Sequence, residues 1–469
     1  MNRQSLPMRA LATALCLTLT LPAQAARFGT LWPEPQALPV TPSKPNFRAP
    51  SSTSCARPVE PRVVGGRSVQ EQSYGDARER EADKASMATR AKIKGEVAVA
   101  GARAAPMVPV PEMMIVAPQP APQSQAQPAA PVTAGMVDDN ADFSEYLAFR
   151  ARTQVQHRER DVRERYLLEV KDASGRGVPD AEVAVRSGQG AAMWARTDAA
   201  GHAWLHPNAF DPGHASNYEV TARKNGRQST ATLTRGQKSA VELRLDGTSQ
   251  ATAARLDLVF LVDATGSMGD EIDKLRGSLR TIARQISSLP SHPDLCLGLV
   301  AYRDKSDEFL IKSHDLSNDL PGFQRALNQL RADGGGDYPE AMNEAFDDTV
   351  QNISWRGDGA TRLVVLLADA PPHLDYAGPQ YDDTMVAALG KGIKVFSVGA
   401  SGLDKQGEYI QRQIAQYTGG RFVFLTYENA NKPGAAPGRE TSHDVQNYSV
   451  DTLDRLIVRL VSQELSALN

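Results

Sequence analysis

Between Arg255 and Leu425 five apolar runs, "LDLVFLVD", "LCLGLVAYR", "RLVVLLAD", "IKVFSVGA" and "RFVFL", recur with polar segments between them. Residues apolar at consecutive rather than alternate positions are buried on both faces, the condition of strands inside a parallel sheet covered by helices. The intervening stretches "GDEIDKLRGSLRTIARQISSL", "PGFQRALNQLRA", "PEAMNEAFDDTV" and "EYIQRQIAQYTG" have helical character. Strands alternating with helices predict a doubly wound α/β domain with a mostly parallel sheet over 255–469. Its last segment carries Leu453, Leu456, Ile457, Leu460 and Val461 at helical spacing, so a final helix is expected to pack on the sheet.

Upstream the pattern changes. From 165 to 247 short alternating runs such as "YLLEV", "AEVAV" and "YEVTARK" are punctuated by "DASGRG", "DAAGH" and "KNGR", which predicts a smaller antiparallel β-sandwich. The order "VKDASGRGVPDAEVAV…TDAAGHAWL" resembles the carboxypeptidase-regulatory, transthyretin-like modules, in which such a unit serves as spacer or docking element. His202 and His206, four apart on a strand, share a face without converging on a metal. Residues 142–164 read as a helical lead-in starting near Phe143. Residues 26–141 are rich in Pro, Ala, Gln, Arg and Glu, a composition that cannot offset its ordering entropy, and a disordered spacer is expected there.

Residues 1–25 combine Arg3 and Arg9, the apolar "ALATALCLTLTL" and a small-residue "AQA", the pattern of a secretory signal. No later run reaches the roughly 18–20 apolar residues of a membrane span, so an exported chain, periplasmic or extracellular and of bacterial type, is expected. A net charge of -3 gives no reason to invoke nucleic acid. Of the two cysteines outside the signal, Cys55 lies in the Pro-rich tail and Cys296 alternates with apolar residues; the expectation is a buried core thiol at Cys296 and no disulfide framework.

The chemistry concentrates in "DATGSMGD". Ligands of an open α/β sheet bind at the carboxyl ends of its strands, where Asp263 and Asp369 each end a run. Thr265 and Ser267 follow at alternate positions, and the loop "DGGGDYPE" is placed to bring Asp337 to the same edge. Five oxygen donors with no His or Cys suit a hard divalent cation, Mg²⁺ first and Mn²⁺ or Ca²⁺ after it. Asp337 has a second reading, as the cap of a helix that begins with Pro339. Asp270 and Glu271 read as acids serving the dipole of the following helix, and Asp304 and His373 as solvated loop residues at a possible rim.

D-x-T-x-S after a buried strand, a Gly-rich loop some 70 residues on and an Asp ending a later strand resemble the von Willebrand factor type A domain with its metal-ion-dependent adhesion site. "GGGDYPE" and "ADAPPH" are similar to the variant of that domain found in bacterial proteins and beside α-kinases. The resemblance implies a metal at Asp263, Thr265, Ser267, Asp337 and Asp369, and a protein partner that completes the metal shell with an Asp or Glu. Three carboxylates, where many members have two, leave the ion less attractive to that incoming acid. A structural envelope protein with a stabilising metal is the alternative. Hydrolase chemistry fits poorly: Thr265 stands where a nucleophile elbow needs Gly, and "DATGS" lacks the second acid of a D-x-D phosphatase. No enzymatic activity is expected.

Overall fold

The computed structural model describes residues 52–65, 131–248 and 254–469, except 337, 358, 433–435, 467 and 469. The expected signal and most of the expected spacer lie outside the described residues. Within them the spacer reading needs correction: Pro61–Val64 (β1) and Thr133–Val137 (β2) are strands of the main sheet. The lead-in helix is Phe143–Arg152 (α1), capped by the Asp142 side chain, and shorter than the 142–164 expected.

The sandwich is built from Tyr166–Lys171 (β3), Glu182–Ser187 (β4), Ala192–Arg196 (β5), His202–Leu205 (β6), the short helix Pro207–Phe210 (α2), Asn217–Lys224 (β7), Arg227–Thr234 (β8) and Val241–Arg244 (β9). Among the described residues it has a sheet ordered β6-β3-β9 and another ordered β5-β4-β7-β8. Alternation sends Leu168, Val170, Val183 and Val185 inward, while Leu167 and Trp204 face away from that core. The expectation of a purely antiparallel sandwich fails at one pairing: β3 and β9 run parallel.

The second part contains Arg255–Asp263 (β10), Gly269–Ser287 (α3), Asp294–Tyr302 (β11), Ile311–Ser317 (β12), Leu320–Gln329 (α4), Met342–Asn352 (α5), Thr361–Ala368 (β13), Tyr381–Lys391 (α6), Ile393–Gly399 (β14), Lys405–Tyr417 (α7), Phe422–Thr426 (β15), Asp451–Thr452 (β16) and Leu453–Ser466 (α8). Strand order is β1-β12-β11-β10-β13-β14-β15-β2-β16. The five parallel strands β11, β10, β13, β14 and β15 are the five apolar runs, buried almost throughout. The α8 stripe Leu453, Leu456, Ile457, Leu460 and Val461 is buried in the same core as β10.

The cysteine expectation is overturned, since Cys55 and Cys296 form a disulfide with Cα atoms 6.1 Å apart. The reason lies in the strap 52–64. It runs beside β12, with β1 antiparallel to it and Arg57 Nη1 2.5 Å from Asp315 Oδ2, and so carries Cys55 onto β11.

Candidate metal centre

Strand β10 ends on Asp263, fully buried beneath the loop that follows. That loop turns immediately: Thr265 N and Oγ1 both donate to Asp263 Oδ1, at 3.0 and 2.7 Å, and Tyr302 OH donates to Oδ2 at 3.1 Å. Thr265 Oγ1 lies 3.0 Å from Ser267 Oγ, in the 3-10 turn Gly266–Met268 that leads into α3. The two hydroxyls and the aspartate are therefore one hydrogen-bonded unit. Ser267 is exposed, while Thr265 is 1% exposed, so the unit opens to solvent at its serine.

Asp369, one residue beyond β13, faces Asp263 and Ser267 across the strand ends. It is buried, and its Oδ1 has no hydrogen-bond partner. Burial first and the Asp263 charge second push its carboxyl up to about 7. Burial likewise raises Asp263, against the lowering hydrogen bonds from Thr265 and Tyr302. These shifts have one physical origin: carboxylates removed from water beside one another, with no cation paired to them.

The Gly-rich loop packs on this unit. Gly266 N donates to Gly334 O at 3.0 Å and Asp333 N to Ala264 O at 3.0 Å. Gly334 and Gly335 both have φ of 73°, and a Cβ on Gly334 would stand 2.3 Å from the Asp307 carboxylate, so the close approach demands glycine. Asp337 lies outside the described residues. The helix after it starts at Met342 rather than Pro339, with the Tyr338–Pro339 peptide cis, so the Pro-led helix start does not form.

Sequence reasoning missed Glu340. It is buried, one oxygen has no partner, and burial followed by Asp263, Asp304 and Asp369 raises its carboxyl to about 9. The residues around it in sequence carry no signal of this burial, which comes from the packing of the loop. Glu271, in the first turn of α3 as read from the sequence, also accepts hydrogen bonds from Ser401 Oγ and Tyr427 OH, which joins α3 to the β14–α7 connection and the residue after β15. Two other readings are corrected. Asp304 is 5% exposed rather than solvated. Half-buried His373 sits 3.7 Å from it through Nε2. The side chain of Asp270 is not among the described ones. His206 is buried with both ring nitrogens unpartnered and stacks on Tyr417, apart from any metal-like cluster.

Among the described residues, no group of three or more His, Cys, Asp or Glu side chains is arranged to hold a metal ion. The donors present are two carboxylates and two hydroxyls. This all-oxygen set with a buried unpartnered Asp369 Oδ1 fits a hard dication and is unsuited to zinc or copper. Asp263, with both oxygens already accepting hydrogen bonds, is suited to support the hydroxyl pair or a bound water more than to bind an ion bare.

Comparison with known proteins identifies the domain that carries these residues. The alpha-protein kinase vwkA of Dictyostelium discoideum is 29% identical over 142 residues, 29% of this chain and 22% of that protein. The von Willebrand factor A domain-containing protein 7 of Mus musculus is 33% identical over 90 residues, 19% of this chain and 10% of that protein. The chain thus spans about a fifth or less of the length of these relatives. The family model of the von Willebrand factor type A domain matches residues 257–431, and this segment of the chain is such a domain.

Proposed function

We propose that the chain is an exported protein-binding module whose partner engagement depends on a divalent cation, Mg²⁺ first, at the carboxyl edge of the parallel strands. The observation that carries this reading is Asp369 Oδ1, buried without a partner opposite Asp263 and the Thr265–Ser267 hydroxyls. Thr265, Ser267 and Asp369 would hold the ion, with Asp263 behind them, and Asp337 is the fifth ligand that the family resemblance implies. A dication there supplies positive charge that a partner's Asp or Glu can meet. The chain's own contribution is to fix the donors: Tyr302 and Thr265 lock Asp263, and the two left-handed glycines bring the Gly-rich loop close. Export is supported by the signal-like start and by the Cys55–Cys296 disulfide, a bond that persists in oxidising compartments.

Calorimetric titration of Mg²⁺, Mn²⁺ and Ca²⁺ into the metal-stripped protein tests this directly. One cation per chain is expected, with binding lost in Asp263→Ala and Asp369→Ala. Absence of binding in the unaltered protein rules out the cation-dependent reading and leaves a metal-independent interaction module.

A further inference from the structure

The parallel strands have a second edge, at their amino ends, where they meet the sandwich. There a cavity of about 330 Å³ lies between the starts of β13 and β14 and the outward face of β3 and β6. Leu167 and Trp204, directly opposite one another across the β3–β6 ladder, line it from the sandwich. Leu363, Ile393 and Tyr417 line it from the other side. Small-molecule sites are typically apolar hollows of about 300–1,000 Å³ with a few fixed polar groups, and domain junctions are among their preferred places.

The polar group here is Arg362, 2% exposed. Its Nε donates to Arg356 O at 2.7 Å, and its Nη1 to Asp180 Oδ1 and to Lys391 O, both at 3.0 Å. Its Nη2 is buried and has no hydrogen-bond partner among the described residues. Asp180 Oδ1 also accepts from Arg196 Nη1 at 3.0 Å, so that oxygen is already shared by two guanidiniums. Other cations on the walls are matched: Lys394 pairs with Asp198 and Glu464, and Arg421 with Asp138. A buried charged donor without a partner, on a residue that lines the cavity, is an incomplete arrangement that a ligand can finish.

We propose that this cavity binds a small monocarboxylate with an apolar or aromatic body. The carboxylate accepts from Arg362 Nη2, and the body lies against Trp204 and Leu167. A phosphate ester fits less well, because Asp138, Asp180, Asp198 and Glu464 also line the cavity and would oppose a dianion.

The test is calorimetric titration of the full chain with phenylacetate, indole-3-acetate and the matching neutral amides, in EDTA so that no cation at the opposite edge can report a carboxylate. The acids are expected to bind at least about tenfold more tightly than their amides. Leu167→Trp, which fills the hollow from its apolar side, is expected to abolish binding. Equal affinity for acid and amide, no binding of either acid, or undiminished binding in a folded Leu167→Trp protein would each overturn the proposal. The acid–amide comparison in the unaltered protein decides the matter even if the variant fails to fold.

Discussion

The two edges of the parallel sheet treat buried charge in opposite ways. At the amino edge Asp257, fully buried, receives the Arg356 backbone N at 2.7 Å and its Nε at 2.6 Å, and the same guanidinium reaches Asp294 Oδ2 at 2.7 Å. At the carboxyl edge Asp263, Asp369 and Glu340 are also buried, yet no Lys or Arg among the described residues pairs with them. A chain able to seat an arginine against one strand aspartate has left the other edge acidic and open. The difference separates charge used to hold the fold from charge kept for something that arrives from outside.

That contrast breaks if removing charge has the same sign of effect at both edges. Arg356→Ala leaves Asp257 uncompensated and is expected to cost about 3–5 kcal/mol of stability in urea unfolding; a loss within experimental error would mean the amino-edge pair is not structural. Replacing both cysteines, Cys55→Ser with Cys296→Ser, should cost about 2–4 kcal/mol by freeing the strap in the unfolded chain, measured the same way.

At the carboxyl edge the sign reverses. Asp369 titrates near 7 in the folded chain and near 3.8 when unfolded. Its contribution to stability is therefore fully present below 3.8 and is lost as pH rises through 7. In metal-free protein at pH 8, Asp369→Asn should then raise stability by about 1–3 kcal/mol while removing cation binding. Thermal unfolding in EDTA checks this, and a destabilised variant would place Asp369 with the structural charges.

Asp180 supplies the mirror case. Arg362 and Arg196 overcome its burial and hold it down to about 2, below the ordinary aspartate value of 3.8. Its contribution is present above 3.8 and lost as pH falls through 2. Asp180→Asn should remove about 1–2 kcal/mol of that acid-side slope, visible as a flatter stability profile between pH 4 and 2.

Much of this was legible from sequence because the signals were local. The five parallel strands are consecutive apolar runs, and Asp263, Thr265 and Ser267 are neighbours whose spacing alone sets their convergence. The misses share a different cause. Strand β12, "IKSHDLS", and the edge strand β1, "PRVV", have little apolar pattern, and only pairing with each other and with β11 makes them strands. The same holds for Cys55 and Cys296, which come together across a separation of 241 residues. Nothing near Cys55 signals a partner. Glu340 was missed because burial, the property that sets it apart, is decided by how three loops pack rather than by its own neighbours.

The strap has one further consequence. Residues 66–130 join a strand at one edge of the main sheet to a strand near the other edge, and a disulfide bonds the part before that connection to the part after it. A single peptide-bond cleavage within 66–130 would yield two polypeptides that still migrate as one species. They would separate only in the presence of a thiol reductant, so a nicked population would look intact on any non-reducing gel.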